Sequence, residues 1–163
     1  MPTALAVADL PAPDELMFII VHQAFELWFK AMLHELDAAR LGLMRRPVAI
    51  EPAAVHLHRL IHLQRLLIQQ IQVPATMQPL DFLQFRSETK VVNGMKLIRG
   101  LSPASGTESY QFREIEIAAG LRGNEEYRRF LEGSPGLHIR FMTPRLQERL
   151  AESSLREIFD RVV

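Results

Sequence analysis

At 163 residues, with 48% hydrophobic and 23% charged side chains, the chain has an ordinary globular mix and enough length to bury a core, which suggests neither disorder nor a coiled coil. Lysine plus arginine (19) equals aspartate plus glutamate (19), so no net field attracts nucleic acid or an anionic membrane, and neither partner is expected. The absence of cysteine excludes disulfides, iron–sulfur clusters and any thiolate ligand to a metal, in keeping with a cytoplasmic protein.

Residues 1–13 read as an extended arm, because Pro11 and Pro13 disfavour helix before Asp14. The opening has no basic region and is broken by Asp9, unlike a secretory signal. One long helix is expected over about 14–44, with Asp14 as N-cap and Glu15 in the first turn. Phe18, His22, Phe25, Phe29, Met32 and Leu36 share a stripe at helical spacing. The other side is also mostly apolar (Met17, Val21, Ala24, Trp28, with Ile20, Leu27 and Ala31), so this helix should be central. Glu26 and Lys30 can pair on a narrow wet edge, or cap something beyond the helix. No stretch reads as a membrane span, since the run from Met17 to Phe29 carries His22 and Glu26.

A second helix is expected from about Pro52 to Gln72, antiparallel to the first, with Leu57, Leu60, Ile61, Gln64, Leu67, Ile68 and Ile71 inward. A short helix at about 79–86 follows, bearing Phe82, Phe85 and Arg86. Residues 87–100 form an insert in which Asn93-Gly94, flanked by apolar runs, signals a hairpin or a loop over an active site. Ser105 or Thr107 is expected to cap a helix ending near Gly120, and Asn124 another through about Leu131. From Thr143 to Val162 one or two amphipathic helices should turn Leu146, Leu150, Leu155, Ile158, Phe159 and Val162 inward. The fold class is all-α, a single helical domain over 14–163 built around the helix at 14–44.

Several residues could carry chemistry. His22 on an aromatic face demands a partner or a ligand, and a core imidazole bonded to its surroundings is the plainer reading. Arg86, among aromatics, could pair with Asp81 or Glu88. Arg113 could pair with Glu114 or Glu116 as readily as with an outside anion. His58 and His62, at i,i+4, share a face with the spacing of a metal pair, but no third ligand is evident, His56 points elsewhere, and a solvated face is favoured. His34 reads as structural, and no metal ligand is assigned.

Three long strings occur in order: FIIVHQAFELWFK at 18–30, MQPLDFLQFR at 77–86 and LSPASGTESYQFREIE at 101–116. Together they resemble the signature segments of the tryptophan 2,3-dioxygenase family over roughly residues 14–132; the segment between Arg86 and Leu101 does not fit. The resemblance implies an all-helical, homo-oligomeric haem enzyme that inserts both atoms of O2 across the indole C2–C3 bond of tryptophan. It implies that His22 accepts the indole N–H and that Phe18 and Phe82 wall the pocket, with Ile19, Ile20 and Val21 in the same substrate-binding stretch. By the same likeness Arg86 clamps the substrate carboxylate, Ser105 and Gly106 skirt the haem face, and Arg113 faces a haem propionate. Three positions depart from the pattern: Phe82 stands where the family commonly has tyrosine, Thr107 for phenylalanine and Glu108 for glutamine. Nothing here matches the family's C-terminal part, which carries the proximal histidine and the threonine loop; His138 is not nominated. A second reading keeps the pocket for an aromatic ligand without productive haem.

Overall fold

The structure, a computed structural model, describes residues 13–86, 90–92, 95–97, 109–121, 125 and 143–162. Six α-helices run in order through these residues: α1 Glu15–Met44, α2 Ile50–Gln70, α3 Pro79–Arg86, α4 Tyr110–Ala119, α5 Pro144–Ala151 and α6 Leu155–Val162. A 3-10 turn at Pro74–Thr76 precedes α3. Between α3 and α4, β1 Lys90–Val92 pairs antiparallel with β2 Met95–Leu97, Val92 opposite Met95, so the insert does contain the hairpin. The architecture is all-α with this one small ribbon. Expectations for Asn124, and for the arm at 1–12, lie outside the described residues.

The chain divides into two compact units, Met1–Ala24 with Gln69–Ser105, and Phe25–Ile68 with Gly106–Val163. In the first, the Asp14 carbonyl accepts the opening helical bond from Phe18 N–H (2.9 Å). The Asp14 carboxylate accepts the backbone N–H of Gln78 (2.8 Å), which fastens the start of α3 to the start of α1.

The second unit holds two apolar clusters. Phe29 and Met32 of α1 pack with Leu67 of α2 and Ile115 of α4, joined by Phe25, Trp28, Leu33, Leu60, Leu63 and Phe112. Leu43 packs with Ala53 and Ile158. Early α1 positions thus meet late α2 positions and the reverse, which is the antiparallel pairing expected of a short connection. Gly42 permits the close approach, because a Cβ there would stand 3.3 Å from the Ala53 Cβ.

Some faces differ from the sequence reading. The buried positions of α1 follow one stripe, Phe29, Met32, Leu36, Ala39 and Leu43, whereas Leu16, Ile20, Leu27 and Leu41 are exposed, so the helix is central on one side only. Its 30 residues are also long and apolar enough to cross a bilayer by length and composition, contrary to expectation, although its later turns are packed as a core helix. In α2 the inward line is Leu60, Leu63 and Leu67, while Ile61 and Ile68 face out; both sets have helical spacing, and packing chose between them.

α4 is capped by Ser109, not by Ser105 or Thr107: its Oγ accepts Phe112 N–H (3.1 Å). The helix stops at Gly120 in the left-handed conformation (φ 93°). α4 packs on α5 and α6. In these last helices Leu150 and Phe159 are half exposed, and Arg149 goes inside with Leu146 and Ile158.

Candidate functional site

In the first unit, residues from two of the three strings meet. Phe18 and His22, one turn apart on α1, have ring centroids 5.2 Å apart. Phe82 and Phe85 of α3 reach the same corner, their centroids 5.9 and 5.1 Å from that of Phe18 and 5.5 Å from each other, in tilted and edge-to-face contacts. Phe85 is buried; Phe18, His22 and Phe82 are half-buried. The result is a wall of three phenyl rings with an imidazole at its margin. Such a surface suits a flat aromatic guest and offers it one hydrogen-bonding side chain. Phe85 was not among the expected site residues, yet its spacing from Phe82 (i,i+3) on a short helix is the signal that it shares the face.

Of the other expected residues, Ile19 and Val21 are half-buried and Ile20 is 54% exposed. Arg86 is the last residue of α3, one turn beyond Phe82. Ser105 and Gly106 lie outside the described residues.

The QFR string forms the first turn of α4, in the second unit. Gln111 Nε2 donates to the Glu26 carbonyl (2.9 Å) and to Glu26 Oε2 (2.7 Å), pinning α4 to α1. The partner of Glu26 is therefore the conspicuous glutamine of the third string. Arg113 is 3% exposed, its guanidinium 5.1 Å over the Phe112 ring and its Nη1 2.9 Å from the equally buried Glu116.

An ionic cluster that the sequence did not disclose lies beside them. Arg149 of α5 donates to Glu114 through Nε (3.0 Å), to Asp37 through Nη1 and Nη2 (2.6 and 2.7 Å) and to Glu152 through Nη1 (2.8 Å). Arg40 of α1 donates to Asp37 (2.9 Å), Glu152 (3.0 Å) and the Ser153 carbonyl. Both guanidiniums are buried. Burial works to raise the Asp37 carboxyl, but hydrogen bonds and charge from Arg149, then Arg40, outweigh it and hold the group below its usual value. Glu152 is likewise lowered: burial opposes, and bonds from Arg40 and Arg149 prevail. For Arg149 burial again works against the charge, and its carboxylate partners, Asp37 foremost, raise it well above the ordinary arginine value. With both guanidiniums bonded to carboxylates and, for Arg40, to the Ser153 carbonyl, the cluster is a clasp between helices.

The remaining histidines separate in space. His56 Nδ1 bonds Glu35 Oε2 (2.6 Å), which also faces Arg59 at 3.6 Å. His58 and His62 face each other on the exposed side of α2, and His34 is exposed on α1. Among the described residues no group of three or more histidine, aspartate or glutamate side chains is placed to hold a metal ion.

A family model described as tryptophan 2,3-dioxygenase matches residues 4–151. The tryptophan 2,3-dioxygenase of a Nocardioides species is 39% identical over 154 residues, covering 93% of this chain and 51% of the relative. That of Bdellovibrio bacteriovorus is 46% identical over 116 residues, 69% of this chain and 29% of the relative. That of Dictyostelium discoideum is 40% identical over 117 residues, 70% of this chain and 26% of the relative. The chain thus spans about half the length of the first of these relatives and less of the others.

Proposed function

Because the chain belongs to the tryptophan 2,3-dioxygenase family, we propose that it forms the substrate-orienting wall of a haem-dependent dioxygenase. The reaction is the addition of both atoms of O2 across the indole C2–C3 bond of L-tryptophan or a related indole, giving N-formylkynurenine from tryptophan. The observation that carries this reading is the contact of Phe18 with His22 on its own helix and with Phe82 and Phe85 of α3, since it joins two separate family strings into one aromatic corner.

The chemistry of these residues suits an indole laid against one face of a flat macrocycle: three phenyl rings, one of them buried, offer an apolar surface, and a single imidazole supplies polarity. Haem, when bound, supplies the binding and activation of O2. The chain's own residues do the orienting. A ring nitrogen of His22 accepts the indole N–H, which fixes the indole's rotation and its distance from the wall. Phe18, Phe82 and Phe85 keep the indole dry; phenylalanine at position 82 retains the wall without the hydroxyl common in the family. Arg86, following Phe82 by one turn, grips the substrate carboxylate with a planar two-pronged donor. By the resemblance alone, Ser105 and Gly106 are assigned to the cofactor. Arg113 enters only through its motif, and a propionate there would compete with Glu116. The same reading makes the protein a cytoplasmic homo-oligomer.

Protein loaded with haemin, reduced and supplied with L-tryptophan under 18O2 should release a product carrying two labelled oxygen atoms. Failure to take up haem, or haem uptake without labelled product, would overturn the reading.

A further inference from the structure

We infer that His58 and His62 form a surface site for a borderline divalent cation, zinc first. Both residues lie on the exposed side of α2, one turn apart, so their side chains rise from the same patch of helix. Their rings stand 4.5 Å apart at 77°, and the two Nε2 atoms converge to 3.3 Å.

That separation is long for a hydrogen bond between nitrogens, so a shared proton holds the pair only weakly. It is, however, the spacing of two ligands on one ion. Two nitrogens 3.3 Å apart, each about 2.05 Å from a common centre, subtend about 107° there, close to the tetrahedral angle of zinc. A square-planar copper site would need the nitrogens about 2.9 Å apart, so geometry favours zinc although copper has the greater intrinsic affinity for imidazole. Among the described residues neither imidazole has a carboxylate partner, whereas His56, two residues before, is occupied by Glu35. Zinc would replace the weak contact between the two rings, each imidazole offering Nε2 in the tautomer protonated at Nδ1, and water completes the coordination. Arg59 and Arg65 on the same helix oppose a cation, which makes the site modest in affinity and dependent on both imidazoles.

The test is zinc sulfate titrated into tag-free protein against a chromophoric chelator, for wild type, His58→Ala, His62→Ala and His34→Ala. Wild type and His34→Ala should take up one zinc equivalent that either of the other variants loses by about tenfold or more in affinity. All three substitutions are at exposed positions, and thermal unfolding checks that the folds match. Zinc should raise the melting temperature of wild type and His34→Ala only. Uptake by His58→Ala or His62→Ala equal to that of wild type, or no uptake by wild type, overturns the inference.

Discussion

Replacing Arg149 by methionine removes the centre of the ionic clasp while keeping most of the side-chain volume. Breaking a buried ion pair by deleting one partner costs about 3–5 kcal/mol, because the remaining charges stay desolvated. Here Asp37 and Glu152 are 36% and 42% exposed at the side chain, so water screens part of the loss. Arg40 still holds both, and Arg145 still holds Glu114 at 2.9 Å. The expected cost is therefore at the low end, about 3 kcal/mol, or a fall of roughly 6–12 °C in melting temperature for a chain of this size. Urea unfolding followed by circular dichroism measures it directly. The acid limb supplies a second check on the same cause. Asp37 and Glu152 are held below their ordinary values of 3.8 and 4.5, so their contribution is complete above those values and is lost as pH falls through the lower folded ones. The gap between wild type and Arg149→Met should be full at about pH 7 and shrink in acid. A loss below about 1 kcal/mol, or a gap that persists unchanged in acid, would refute the clasp.

Gly120→Ala should destabilise by about 2 kcal/mol or more, since φ is 93° and a Cβ would lie 2.9 Å from Ser154 Oγ and Arg156 Cβ; denaturant midpoints measure it. Ser109→Ala should cost about 1 kcal/mol by the same assay, the value of one helix cap, with Ser109→Asp largely restoring it. Arg86→Leu should raise KM for L-tryptophan about 10–100-fold, the worth of charge-assisted bonds to a carboxylate, and leave the decarboxylated amine nearly unaffected; equal effects on both remove the clamp. Phe85→Ala should cost about 3–5 kcal/mol in stability, because the ring is 1% exposed and touches both Phe18 and Phe82.

The helices were legible because their punctuation is local: Pro13-Asp14 before α1, Pro79 opening α3, Gly120 closing α4 and Thr143-Pro144 opening α5. Faces were less so. Ile61 and Ile68 have the spacing of a core stripe but point outward, and Arg149 has the composition of a surface residue but is 3% exposed, since the arrival of Asp37 and Glu114 from other helices, added to Glu152 one turn on, makes its burial tolerable. In the aromatic corner, the i,i+4 relation of Phe18 and His22 was readable, while a shared pocket with Phe82 was implied only by the resemblance of the motif strings, and the contact of Phe85 with Phe18 comes from the structure. Nothing in the sequence around Phe85 ranks it above Phe82; its burial against Phe18 does.

The central claim is that the corner formed by Phe18, His22, Phe82 and Phe85 orients an indole beside haem. The most direct measurement is an optical titration of haemin-loaded protein with L-tryptophan, run in parallel on wild type and His22→Leu. The account predicts a saturable change in the haem absorption band of wild type that is greatly weakened in the variant. A band indifferent to L-tryptophan, or a response identical in both proteins, would contradict it.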